Sequence, residues 1–253
     1  MRIVRYQIKN ETPRYGWIFE EKIGDIEGDP FGRYRRLEAG TPIEKVRLLA
    51  PVQPSKILCL GTNYAEHSKE MNEEVPIVPL IFMKPPSAVI NPGDKIILPP
   101  QSKQIDHEAE LVIVMGKRTR NVTAEEAQDY ISGYTIGNDV TARDLQRSDR
   151  QWTRAKGFDT FCPFGPWIDT EFDPSDALII CKVSGQPRQM ASTRDMVFNV
   201  GTQVAYISSI MTLEPGDLIF TGTPAGVSPL KPGDVVDIEI EGLGRLSNPV
   251  VAA

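Results

Sequence analysis

The run Ile105-Asp106-His107-Glu108-Ala109-Glu110-Leu111-Val112-Ile113-Val114-Met115-Gly116 sets ionisable residues directly ahead of five consecutive apolar ones. Read as one strand, its side chains alternate between two faces. Glu108 and Glu110 then point to the side that also takes Val112 and Val114. Two carboxylates on a mostly buried face repel each other and lose hydration, which is costly without a partner. The fold must either supply that partner or leave the glutamates on a solvent-facing edge strand.

Strand signals dominate the rest of the chain. Lys56–Leu60 reads as a buried strand, and a further one runs through Tyr134 and Ile136 to Asp139. Three Pro-Gly-Asp turns, at 92–94, 215–217 and 232–234, each precede a β-pattern. Proline presets φ at the second turn position, and glycine supplies the positive φ a type II turn needs at the third. Their unequal spacing reflects shared turn chemistry, not a repeat array. Helices are fewer. The capping box Thr123-Ala124-Glu125-Glu126 predicts a helix to about Tyr130 or Ile131. Val200, Val204, Ile207 and Met211 fall on one face of a second, over about 200–211. Residues 1 to about 50 give short alternating runs and Gly/Pro turns, a small β-rich piece ending near Ala50–Pro54. The expected class is α+β, mainly β, with a roll or distorted barrel over residues 55–253 and a small β-rich N-terminal domain over 1–54.

Composition narrows the function classes. A net charge of −6 without a basic cluster argues against nucleic acid as a partner. No apolar run approaches the roughly 20 residues of a membrane helix. The N-terminus alternates like a strand and lacks the apolar core of a signal peptide. Three cysteines without CxxC spacing support neither zinc nor a disulfide framework, so a reducing, cytoplasmic setting is expected. No GxGxxG or P-loop pattern is present.

Asp139, at the end of its strand, joins Glu108 and Glu110 as a third candidate oxygen ligand. Mg²⁺ and Mn²⁺ favour such donors, and a bound cation neutralises the repulsion among them. The competing reading has both glutamates in solvent and Asp139 capping a turn. Both histidines have acidic neighbours. His67 and Glu70 share a face if their segment is helical, although such a pair is also common on any exposed helix. His107 alternates to the opposite side from Glu108, which favours a role in supporting the site from behind or a purely structural one.

Several motifs taken together resemble the fumarylacetoacetate hydrolase superfamily: "LGTNYAEHSKEM" (60–71), "FMKPPSAVINPGDKIILP" (82–99), "DHEAELVIVMGK" (106–117), "GYTIGNDVTARDLQ" (133–146), "WTRAKGFDTFCPFGP" (152–166), "VSGQPRQ" (183–189) and "GDLIFTGTPAGV" (216–227). They cover about residues 55–250 in the family's order. Residues 1–50 look like the small N-terminal extension of many bacterial and archaeal members. The resemblance implies a mixed β-roll catalytic domain, a homodimer, and one Mg²⁺ or Mn²⁺ on Glu108, Glu110 and Asp139. It also implies an active-site Lys156 and a catalytic His67–Glu70 dyad on a mobile lid. A lysine there would stabilise developing negative charge, and a carboxylate-supported histidine could activate water.

Arg143 and Gln146 are candidate contacts for substrate oxygens, with an Arg143–Asp144 or neighbouring structural ion pair as the alternative. Thr223 lies in a loop able to receive a carboxylate, or is a turn residue fixed by Gly222 and Pro224. Trp152, Phe158 and Phe161 read as packing. The implied substrates are small 2-oxo acids and dicarboxylates. The first functional expectation is metal-dependent cleavage of a C–C bond in acylpyruvates, fumarylpyruvate or oxaloacetate through a metal-stabilised enolate. The alternative is ketonisation of a 2-hydroxyhepta-2,4-diene-1,7-dioate-type dicarboxylate, and a remoter one is a non-enzymatic binding protein on the same fold.

Overall fold

The computed structural model describes residues 1–253. Ten strands form the path of one 13-stranded sheet, ordered Tyr34–Arg36, Lys22–Gly28, Arg14–Phe19, Arg2–Gln7, Cys162–Asp169, Ile131–Asn138, Ala109–Met115, Leu218–Phe220, Ile57–Gly61 and Leu80–Lys84. A five-stranded sheet packs beside it, and a two-stranded ribbon pairs Ile105–Asp106 with Thr141–Ala142. The class is mainly β with minor helix, as expected, but the sheets form no closed barrel. The large sheet ends at Tyr34–Arg36 on one side and Leu80–Lys84 on the other. No helix is long and apolar enough to cross a membrane.

Alternation along Ala109–Met115 divides the interior. Ala109, Leu111, Ile113 and Met115 enter a cluster of 29 buried residues, and Val112 and Val114 enter a second cluster of 14. Every residue of this strand is buried, so neither glutamate lies on a solvent-facing edge. Its neighbours are Ile131–Asn138 and Leu218–Phe220, both antiparallel, with Glu110 opposite Gly137 and Ala109 opposite Asn138.

Four local expectations meet different outcomes. The run 105–116 is two strands, broken at His107–Glu108. There the backbone donors leave the ladder for side chains: Glu108 N–H donates to Asn138 Oδ1 (2.9 Å) and Ala109 N–H to Gln189 Oε1 (3.0 Å). The capping box does form, with Thr123 N–H on Glu126 Oε2 and Glu126 N–H on Thr123 Oγ1. It opens only a 3₁₀ turn, Ala127–Tyr130, because the strand Ile131–Asn138 begins at once and claims the following backbone. The helix Val200–Ile210 is present, with Val204 and Ile207 fully buried and the Asn199 side chain accepting from Thr202 N–H. All three Pro-Gly-Asp glycines have positive φ (81°, 82° and 94°).

The first residues do not stand apart from the rest. The strand Arg2–Gln7 pairs with Cys162–Asp169, and Met1 O accepts from Thr170 N–H.

Candidate metal centre and proton-transfer dyad

The strand Ala109–Met115 brings Glu110 to the centre of the large sheet, and the break before it turns Glu108 toward the same place. Asp139 follows the adjacent strand directly, and its N–H donates to Glu108 O (2.9 Å). Glu108, Glu110 and Asp139 are buried, and each offers an oxygen within 4.8 Å of the other two. Oxygens on opposite sides of an octahedral Mg²⁺ lie about 4 Å apart, comparable with that upper limit.

The surrounding charges sharpen that fit. Four buried carboxylates, Asp106, Glu108, Glu110 and Asp139, face three buried cations, Lys84, Arg143 and Lys156. Lys156 Nζ bridges Glu108 Oε2 (2.8 Å) and Asp139 Oδ2 (2.6 Å), and Lys84 Nζ takes Asp139 Oδ1 (2.6 Å). Arg143 reaches Asp106 Oδ2 (2.8 Å), Glu108 Oε1 (2.5 Å) and Gln146 Oε1 (2.6 Å). Glu110 has no such cation; Gly222 N–H donates to its Oε2 (2.7 Å). Burial, together with the Asp139 and Glu108 charges, pushes the Glu110 carboxyl well above the usual range. For Glu108 burial acts upward too, but Lys156 and Arg143 outweigh it and hold the carboxyl low. Burial would lower Lys156, yet Asp139 and Glu108 lift it to about 12. A bound divalent cation would supply the positive partner that buried Glu110 lacks. The donor set and its charge therefore fit Mg²⁺ or Mn²⁺.

His67 is buried on the short helix Ala65–Glu70, and its Nδ1 lies 3.0 Å from Glu70 Oε2. Glu70 also accepts from Gly226 N–H (3.0 Å), which ties the helix to the 222–227 loop. Asn63 anchors the start of this helix segment: its amide donates to Thr221 O and Phe198 O, and its Oδ1 accepts from Phe198 N–H. His67, Glu108, Arg143, Gln146, Lys156 and Thr223 all open on one cavity, which Leu60, Phe82 and Trp152 also line. Its volume is about 20 Å³, room for roughly one water molecule.

Other expectations resolve as follows. Arg143 pairs with Asp106 and Glu108, not Asp144; Asp144 instead caps Ser102 and Lys103. The Thr223 hydroxyl donates to Ala109 O (2.9 Å) and accepts from Gln189 Nε2 (2.7 Å), so it braces the strand. His107 is structural: its ring binds Gln189 and Ser228, and burial lowers its pKa. Phe158 and Phe161 pack on each other, whereas Trp152 stacks edge-on to Phe82 and also lines the cavity. Sequence reasoning missed Lys84 and Asp106. Lys84 carried one usable signal, a lone cation closing the apolar run Leu80-Ile81-Phe82-Met83.

The fumarylacetoacetate (FAA) hydrolase C-terminal family profile matches residues 56–251. The chain belongs to this family. A second profile, Rv2993c-like, N-terminal, matches residues 1–51. Among solved family structures, a 5-carboxymethyl-2-hydroxymuconate delta-isomerase from Mycobacterium smegmatis superposes with a TM-score of 0.94 at 44% identity, covering 100% of both chains. The mitochondrial oxaloacetate tautomerase Fahd2a of Rattus norvegicus is 45% identical over 222 residues, 83% of this chain and 71% of that protein. A maleylpyruvate hydrolase from Sphingobium sp. SYK-6, solved with manganese(II) and pyruvate, has a TM-score of 0.81 at 31% identity and full coverage of both chains. Fumarylacetoacetate hydrolase family relatives thus carry isomerase, tautomerase and hydrolase names on one fold.

Proposed function

We propose that this chain is a divalent-metal-dependent enzyme that moves a proton between the enol and keto forms of a small 2-oxo acid. The observation that carries the reading is the shared cavity: His67, paired with Glu70, opens on the same space as Glu108 and Lys156. A Mg²⁺ or Mn²⁺ ion held by Glu108, Glu110 and Asp139 would polarise the 2-oxo group and offset charge developing on its oxygen. With Nδ1 engaged by Glu70, Nε2 is the ring atom left to give or take the proton at substrate carbon. Glu70 orients the ring and raises its basicity. Lys156 supplies a fixed positive charge beside the reacting oxygens. Arg143 keeps Glu108 ionised and orders Gln146 at the cavity wall. Relatives at 44 and 45% identity named as an isomerase and a tautomerase support this outcome.

A second reading is C–C cleavage of β-dicarbonyl 2-oxo acids, and the His67–Glu70 hydrogen bond is what favours it. The same dyad could draw a proton from water poised against the distal carbonyl. The Sphingobium hydrolase supports it at lower identity. One experiment separates the two. Purified protein loaded with Mg²⁺ or Mn²⁺ is given enol-oxaloacetate, a 2-hydroxy-diene dicarboxylate, acylpyruvates and fumarylpyruvate, and ketonisation and pyruvate release are followed separately. Ketonisation without cleavage supports the first reading, and pyruvate from acylpyruvates supports the second. Silence on every substrate leaves the non-enzymatic alternative.

A further inference from the structure

Lys84 has no part in the chemistry above, yet it is among the most completely enclosed side chains of the molecule, with its ammonium group fully buried. It closes the strand Leu80–Lys84, where it lies opposite Ile57. Its Nζ donates to Asp139 Oδ1 at 2.6 Å and to Val140 O at 3.2 Å. Lys156, from the helix Thr153–Lys156, takes the other oxygen of the same carboxylate. Two ammonium groups from different elements therefore grip Asp139, one per oxygen, and its main chain is tied to Glu108 O. The carboxylate cannot turn about its Cβ–Cγ bond without breaking a buried charged hydrogen bond. Each oxygen keeps further lone-pair capacity, since an ionised carboxylate accepts about four bonds.

We infer that Lys84 is a positioning residue that fixes the plane of Asp139 for the divalent cation, which rests on the metal reading proposed above. The sign of its effect makes the inference testable. A third buried cation beside a cation site opposes metal binding by simple repulsion, so removing it should tighten binding if charge were all that mattered. A residue that orients a ligand does the reverse: losing such support weakens affinity about 10–100-fold.

The test is Mn²⁺ titration of the full chain by calorimetry, with electron paramagnetic resonance of the bound ion. Lys84→Met, close in volume and uncharged, should weaken Mn²⁺ binding about 10–100-fold and broaden the spectrum as ligand geometry spreads. Lys84→Arg, which keeps charge and donors, should fall closer to wild type. Unchanged or tighter Mn²⁺ binding by folded Lys84→Met overturns the inference while leaving the metal reading intact. Wild-type protein that binds no Mn²⁺ overturns both. Should Lys84→Met fail to fold, Lys84→Gln carries the same comparison: weaker binding supports positioning, and unchanged or tighter binding overturns it.

Discussion

Glu110 is the buried carboxyl of the candidate site that no side-chain cation neutralises. It lies among like charges with one backbone donor on its side chain. Glu110→Gln keeps the volume and removes the repulsion. In chelator-treated protein it should melt no lower than wild type, yet the variant should lose Mn²⁺-dependent activity by at least two orders of magnitude, about 3 kcal/mol in the barrier. Paired melting and rate measurements check both halves. His67→Ala should cut turnover by about 10²–10⁴-fold and leave Mn²⁺ affinity near wild type, which a titration would show. The cysteines provide a separate check. Burial pushes Cys162 and Cys181 up to about 12 and Cys59 well above its ordinary value. Thiolate, the reactive form, is therefore scarce at pH 8, and a thiol reagent should label none of the three until the protein unfolds. At this scale much was legible beforehand. Strand alternation predicts the two glutamates on one side; the structure does bring them together, but through the break at His107–Glu108, and Asp139 follows its strand directly. Lys84 and Asp106 were not, because their meaning depends on partners 55 and 37 residues away.

Among the elements, the loop after Leu218–Phe220 touches both a candidate ligand, Glu110, and Glu70 of the dyad. Gly222 donates to Glu110, its φ is +93°, and a Cβ there would stand 2.7 Å from Asn63 Cβ. Asn63 in turn anchors the segment that carries His67. Gly222→Ala should therefore cost about 1–3 kcal/mol and disturb ligand and dyad together. Thermal melts should drop roughly 2–4 °C per kcal/mol, with Mn²⁺ affinity falling in the same variant. Element identity followed from local pattern where the chain was long and regular, as in Val200–Ile210 and the strands after each Pro-Gly-Asp turn. It failed where side chains from afar took over the backbone. Asn138 and Gln189 interrupt the strand at His107–Glu108, and neither could be assigned to that place from spacing. The capping box was read correctly as chemistry and wrongly as length, since it could not announce how soon the sheet would reclaim Ile131.

For the whole molecule, the candidate metal centre joins elements that are far apart in sequence. The strand holding Glu110, the end of Ile131–Asn138 that Asp139 follows, the helix holding Lys156 and the edge strand ending in Lys84 all meet there. Filling it should stabilise the entire fold: at a hundred times its Kd, a cation that binds only the native state adds about 2.7 kcal/mol. That corresponds to a rise of roughly 5–11 °C in melting temperature for a chain of this size, reversed by chelation, and calorimetry with and without Mn²⁺ checks it. The mainly β class was legible because period-2 patterns recur throughout. The open sheet was not, because strand order is set by long-range pairing that periodicity does not encode. The small cavity has a consequence for kinetics. A 2-oxo acid is several times larger than the single water that fits, so its entry requires walls of the cavity, the His67 helix among them, to part. Association is then gated by that opening, so kcat/KM should lie well below the diffusional ceiling of about 10⁸–10⁹ M⁻¹s⁻¹. It should also change little when sucrose or glycerol thickens the solvent.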